Sequence, residues 1–449
     1  MIATRPTPGD TVWFQHDRFG MFIHFGLYSM AARHEWVKNI EQTPEEAYDI
    51  YFKHFDPDML DAKQWAKSAK AAGIKYAILT TKHHEGFCLF DSKFTDYKST
   101  NTPYGKDIVQ EFVEAFRAEG LKIGFYYSLL DWHHPHFPID WFHPHRNIPN
   151  VIEENKKRNM KIYAQYMRDQ LTELMTNYGK IDILWFDFTY PPKPAFEDTD
   201  IRDREAFLSM KRNGPEEWES ESLIKTVRDI QPNIMINNRS EIEQDLWTPE
   251  QVPPVDCLRH SKTGEYVVWE ACHTFSGSWG YFRDELTWKS PEMLIQLLCN
   301  TVSCGGNLLM NVGPTGRGYL DNRAENALGA FGEWMKYNSR SIYSCTMAES
   351  EFVAPRGCCL TESTDGKRLY IHIMEYPITY LVMPEMAGKI EYAQFLHDGS
   401  EIKAIEKEAE KNAHADLLLQ LPDNAVGFHV PPVKPDVIVP VIEVFLKES

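Results

Sequence analysis

Nowhere does this chain approach the ~18 consecutive apolar residues that a membrane-spanning helix needs, so no membrane span is expected. Its opening, Met1-Ile-Ala-Thr-Arg-Pro-Thr-Pro-Gly-Asp10, lacks the apolar core of a secretion leader. Paired CxxC spacing is absent. The eight cysteines, at 88, 257, 272, 299, 304, 345, 358 and 359, are scattered, which speaks for reduced thiols and a cytoplasmic location. No HExxH occurs, and no HxH pair follows the first predicted strand, so the common histidine–zinc patterns are missing. A basic surplus is lacking too. The net charge of -18 argues against nucleic acid or an anionic membrane as partner, since both call for positive patches.

What is present is length and alternation. A chain of 449 residues exceeds one compact core and suffices for a large barrel plus a second domain. Between about residues 18 and 345, short apolar runs alternate with amphipathic helical stretches. Strands are predicted at 20–26, 76–81, 122–127, 180–187, 233–238, 266–270 and 307–312. Helices are predicted at 61–72, 107–119, about 155–177, 220–230, 291–302 and 323–337, the first three stopped by Gly73, Gly120 and Gly179. Such alternation predicts an α/β fold, closed into a parallel barrel or wound into an open sheet. The polar residues at several strand ends favour the barrel, a (β/α)8-like TIM-type domain over residues 1–344. From about residue 345 the pattern changes to short alternating runs, 368–374, 379–383 and 437–445, which predict an antiparallel β-domain over 345–449. Tryptophan is absent after Trp334, so this part reads as a brace for the barrel more readily than as a sugar-binding module.

One strand stands out. Lys180-Ile-Asp-Ile-Leu-Trp-Phe-Asp187 ends in a carboxylate beside two aromatics. A parallel strand buried on both faces should be almost wholly apolar, and catalytic groups of barrels sit at the carboxyl ends of strands. Asp187 therefore reads as a catalytic carboxylate in a carbohydrate site, with an N-cap as the plainer alternative. Other polar residues collect at predicted strand ends: His24, His83 with His84, Tyr127 with Asp131, Asn238 with Arg239, Glu270 and Asn311. A barrel would bring them to one mouth. The histidines, with His133 and His134, also admit a metal site. Adjacent residues of a strand point to opposite faces, however, so His83 and His84 could serve together only beyond a strand end. Neutral imidazoles equally suit sugar hydroxyls.

Gly20-Met-Phe-Ile-His-Phe-Gly-Leu-Tyr-Ser29, Glu35-Trp36, Thr81-Lys-His-His-Glu-Gly-Phe87, Gly124-Phe-Tyr-Tyr-Ser128, Trp185-Phe-Asp187, Trp247-Thr-Pro-Glu-Gln251, Trp269-Glu270, Ser278-Trp-Gly-Tyr281 and Gly306-Asn-Leu-Leu-Met-Asn-Val-Gly-Pro314 together resemble the α-L-fucosidases of glycoside hydrolase family 29. The resemblance spans about three quarters of the chain. It implies a (β/α)-type barrel followed by a C-terminal β-sandwich over 345–449, and retaining hydrolysis of terminal α-L-fucose from fucosylated glycans through a covalent fucosyl-enzyme, without cofactor or metal. It maps the nucleophile onto Asp187 and the fucose contacts onto His24, Glu35, Trp36, His83, His84, Tyr127, Trp185, Arg239 and Trp279. For the general acid/base it points to Glu250, in a Thr-Pro-Glu motif after the Arg239 strand. Strand logic favours Glu270 instead, and Glu241, Glu243 and Asp245 lie on the same loop. Ser240-Glu241 follows the arginine where the family often has Trp-Gly, so the leaving-group loop departs from the pattern. The rival functions are a metal-dependent barrel hydrolase and a catalytically silent, lectin-like fucose binder. Linkage preference and homo-oligomerisation are left open by the sequence.

Overall fold

The computed structural model describes residues 3–190, 200–208, 210, 212–407 and 421–448. Seven parallel strands form its centre: β1 (Phe19–Ile23), β2 (Tyr76–Lys82), β3 (Lys122–Ser128), β4 (Ile183–Asp187), β5 (Met235–Ile236), β6 (Glu270–Thr274) and β7 (Asn307–Val312). Their order, β5-β4-β3-β2-β1-β7-β6, describes a sheet curled upon itself. Its two faces bury different side chains at the two-residue period of a strand. Ala77, Leu79, Phe125, Tyr127, Leu184 and Phe186 pack outward against the helices. Tyr76, Ile78, Tyr126, Ile183 and Trp185 meet in an inner core with Phe22 and Leu309.

The helices lie close to their predicted bounds because local chemistry sets their ends. Asp61 caps Ala62–Ala71 by accepting from the Gln64 N–H at 3.0 Å, and Asp107 caps Ile108–Ala118 by accepting from Gln110 at 2.8 Å. Gly73 and Gly120 follow those helices at φ 89° and 77°, a conformation that costs glycine nothing.

Two strands differ from expectation. β5 is only two residues long, and the run expected to end at Glu270 is irregular up to that residue, with β6 beginning there. The missing regularity is taken up by residues 245–251, which bridge the edges of the curled sheet. Leu246 donates to the Ile236 carbonyl at 3.2 Å, Glu270 donates to the Trp247 carbonyl at 2.9 Å, and Gln251 donates to Cys272 at 3.0 Å.

The remaining strands are antiparallel. β8 (Cys345–Met347), β9 (Cys358–Ser363), β10 (Arg368–Ile373), β12 (Ile390–Phe395) and β15 (Val441–Leu446) form one sheet, and β11 (Tyr380–Met383), β13 (Lys403–Glu406) and β14 (Val426–His429) another. Ile371 and Val444 of the larger sheet share a core with Met383 and Phe428 of the smaller. Tyr370 and Val441 pack instead into the main α/β core. Arg18, fully buried, ties the two regions together by donating to the carbonyls of Cys345 (2.8 Å) and Gly305 (2.7 Å).

Candidate active site

The carboxyl ends of the strands open into a small cavity. β1 delivers His24, and β2 ends at Lys82, so His83 and His84 lie beyond the strand and both reach the cavity, their rings 4.1 Å apart. β4 delivers Trp185 and Asp187, and Arg239 and Glu250 follow from the segments after β5. Glu35, Trp36 and Trp279 complete the wall from loops. Just before Glu35, His34 holds φ at 97° and its Nδ1 accepts from the Trp36 N–H at 3.1 Å. That turn presents Glu35 and Trp36 inward.

Arg239 organises the carboxylates. Its guanidinium donates to Asp187 Oδ1 at 2.8 Å and to Glu250 Oε2 at 2.7 Å, while Nε donates to the Thr248 hydroxyl at 3.0 Å. Burial opposes the arginine's charge, but Asp187 and Glu250 outweigh it and hold the group above its ordinary pKa. The second oxygen of Asp187 accepts from the Tyr126 hydroxyl at 2.8 Å. The nucleophile candidate is thereby held in one orientation by two donors.

The imidazoles are neutral acceptors. Burial pushes His24 and His84 down to about 3, and His83 well below its ordinary value. Asn311 donates through Nδ2 to the Trp279 carbonyl (2.6 Å), so its Oδ1, 2.6 Å from His24 Nδ1, accepts the ring proton. Ser128 donates to the Leu130 carbonyl (2.8 Å), so its oxygen accepts from His84 Nδ1 at 2.7 Å. Both rings are left with a free lone pair on Nε2 for a hydroxyl donor. Glu35 is almost fully buried. Its Oε2 accepts from the Gly280 N–H (2.8 Å), the Trp279 N–H (3.1 Å) and the Ser278 hydroxyl (3.2 Å), and its Oε1 has no hydrogen-bond partner. His34 Nδ1 lies 3.4 Å from that oxygen but already accepts from the Trp36 N–H, so a buried carboxylate oxygen on the cavity wall is left for a donor from a ligand.

Two expected residues lie elsewhere. Tyr127 faces outward, where its hydroxyl donates to Gln170 Oε1 at 2.8 Å. Its neighbour Tyr126 is the one that lines the cavity, because the inward set of β3 is the other half of the two-residue repeat. Glu270 starts β6 and so lies at the closed end of the sheet, away from the cavity. There it accepts from the Tyr76 hydroxyl (2.5 Å) and the Trp185 Nε1–H (3.3 Å), and burial raises it to about 7. The rival loop acids are engaged outside the cavity: Glu241 with Arg212, Glu243 with Arg5 (2.6 Å) and Asp245 with Arg228 (2.6 Å). Asp131 forms a buried ion pair with Lys82 at 3.1 Å, and His133 meets Glu45 at 2.6 Å. Among the described residues no group of three or more His, Cys, Asp and Glu side chains is arranged to hold a metal ion.

Phe22, Tyr126, Phe188 and Cys272 also line the cavity and were missed from the sequence. For Tyr126 the alternation of β3 separates it from Tyr127 but, with both faces of the strand buried, does not say which of them looks inward. For Phe22 and Cys272 nothing local distinguishes a cavity wall from a core position.

Two carboxylates on one arginine, in a small cavity walled by indoles and neutral imidazoles, define a glycoside hydrolase type of site. The comparisons narrow this. The family model described as alpha-L-fucosidase matches residues 4–340. An alpha-L-fucosidase of Dictyostelium discoideum is 26% identical over 99% of this chain and 93% of its own length. Among solved structures, alpha-L-fucosidase isoenzyme 1 from Paenibacillus thiaminolyticus has a TM-score of 0.84 and 38% identity, covering 98% of this chain and 99% of that one. A glycoside hydrolase family 29 alpha-L-fucosidase from Bacteroides thetaiotaomicron has a TM-score of 0.78 and 25% identity, covering 100% and 99%. It was captured as a trapped covalent intermediate with 2-fluoro-fucosyl fluoride in a glutamate-to-glutamine mutant. The chain belongs to the alpha-L-fucosidase family.

Proposed function

We propose that this chain is a retaining α-L-fucosidase that removes terminal α-L-fucose from fucosylated glycans, with Asp187 as nucleophile and Glu250 as general acid/base. The observation that carries the reading is the pairing of Asp187 and Glu250 on the two ends of one guanidinium. Retaining hydrolysis requires two carboxyl groups close enough that one attacks carbon while the other serves the departing oxygen.

Asp187 attacks the anomeric carbon as protonated Glu250 gives its proton to the leaving oxygen. A covalent fucosyl-enzyme results. Glu250, now ionised, then takes a proton from water, and the resulting nucleophile releases fucose with its configuration retained. His24 and His84, through their free Nε2 atoms, and the unpartnered Glu35 oxygen accept hydroxyls of the sugar. Trp36, Trp185 and Trp279 supply its apolar walls. The same reading treats residues 1–344 as a closed eight-stranded barrel, with 245–251 standing in for the irregular eighth strand, and 345–449 as a β-sandwich. The bridging hydrogen bonds and the shared core of the two antiparallel sheets support it.

The test is chemical rescue. Asp187→Gly should lose at least about a thousandfold in kcat, and external azide should restore turnover with β-fucosyl azide as product. Wild-type-like hydrolysis by Asp187→Ala would sink the assignment. For Glu250→Ala, an activated aryl fucoside should suffer less than a natural fucoside, and equal losses would move the acid role elsewhere.

A further inference from the structure

We propose that Glu270 is a positioning residue for hydrolysis: from beneath the cavity its carboxyl group orients the Trp185 indole, on which the Arg239 guanidinium rests. The proposal deepens the assignment of Asp187, Glu250 and Arg239 above and rests on it.

Glu270 is fully buried, at the first position of β6, and takes no part in the cavity wall. Among the described residues no cation pairs with it. Its partners are two hydrogen-bond donors, the Tyr76 hydroxyl at 2.5 Å and Trp185 Nε1 at 3.3 Å. A carboxyl group at this depth carries a desolvation cost that an apolar side chain of similar volume would avoid. Burial accordingly moves it up to about 7, and what it supplies is an acceptor at one point on the Trp185 edge.

That point matters because the Nε1–H bond fixes one edge of the indole within an aromatic cluster. Trp185 stacks on Tyr126 with ring centroids 5.9 Å apart at 18°, and Phe22 meets it at 5.2 Å and 62°. These contacts pack the faces of the ring, and the Nε1–H bond to Glu270 adds a directional constraint at its edge. Above the ring, the Arg239 guanidinium carbon sits 4.4 Å from the centroid, while its nitrogens hold Asp187 and Glu250. A turned or tilted indole therefore displaces the one group that aligns both carboxylates. Misplacement of about 1 Å in such a set costs on the order of a hundredfold in rate.

The experiment compares Glu270→Met, near-isosteric but without an acceptor, with Glu270→Gln, which keeps one for Trp185. Tyr76→Phe removes the other partner alone. Active sites are counted by burst titration with 2-fluoro-fucosyl fluoride, so that kcat refers to folded enzyme. Glu270→Met should lose ~10–100-fold in kcat per site, Glu270→Gln should stay within about threefold of wild type, and Tyr76→Phe should lower Tm while leaving kcat within about twofold. Glu270→Ala, which leaves a cavity and no clash, serves if the methionine variant does not fold. In a Trp185→Phe background, which has no Nε1–H, Glu270→Met should cause no further loss, since the two changes act on one contact. Wild-type kcat per site in Glu270→Met, or an equal loss in Tyr76→Phe, overturns the proposal. Failure of the wild-type enzyme to trap any fluorosugar would instead strike the Asp187 assignment, which keeps the two failures apart.

Discussion

Two adjacent tyrosines separate a site residue from a packing residue. Tyr126 donates to Asp187 from inside the sheet, and Tyr127 donates to Gln170 on the helix side. Tyr126→Phe removes one of two donors to Asp187, the proposed nucleophile, so kcat should fall about tenfold with little change in Tm. Tyr127→Phe leaves a buried Gln170 oxygen without that partner and should cost about 1–2 kcal/mol of stability, measured by urea unfolding, with kcat unchanged. A reversal of the two phenotypes would restore the sequence expectation for Tyr127. Most of the remaining site was legible residue by residue: His24, Glu35, Trp36, His83, His84, Trp185, Asp187, Arg239, Glu250 and Trp279 all line the cavity. Their motifs specify chemical type and approximate position along the chain. They do not specify which side of a strand a side chain leaves by, and that is where Tyr127 was misplaced.

At the scale of elements, most helix ends were read well and two strands were read badly, for the same reason. Capping is local: Ser290 accepts from the Met293 N–H at 3.2 Å, and Pro291 opens the helix Pro291–Ser303. Ser290→Ala should therefore cost about 1 kcal/mol, visible as a lower urea midpoint at unchanged kcat, and no change in midpoint would show that the cap contributes nothing. Strand bounds answer to neighbours. The apolar run before Glu270 suggests a strand ending there, yet regular pairing with β7 starts at Glu270 opposite Asn307 and runs to Thr274. That register carries Cys272 to the cavity and leaves Glu270 at the far end of the sheet, while Glu250, the acid/base candidate favoured by the family resemblance, lines the cavity from the bridging segment. No feature inside 266–274 could have settled this, because β7 decides it.

Across the whole molecule, burial sets how stability responds to pH. The buried imidazoles of His24, His84 and His372 are pushed down to about 3 and His134 to about 4, with burial the main cause in each case. Between pH 6.5 and those values the unfolded chain binds protons that the native state refuses, so stability falls as pH falls. Glu85 and Glu270 act in the opposite sense. Burial raises both to about 7, so each keeps a proton in the native state that it loses on unfolding, and each adds stability as pH drops from 7 towards 4.5. The imidazoles, which also include His83 and His143, outnumber these acids. Tm should fall from pH 6.5 to 4.5, more shallowly than the histidines alone would dictate, and a Tm that rises over this interval would contradict the balance. The sequence by itself determined the alternation of strands and helices, the family and nearly every chemical group of the site, because periodicity, caps and motifs are carried by neighbouring residues. The tertiary structure alone decided which face of β3 looks inward, that Glu270 lies under the cavity and Glu250 at it, and that Arg239 joins the two carboxylates. Those are relations of register and curvature between strands distant in sequence, and they exist only once the strands have paired and the sheet has curled.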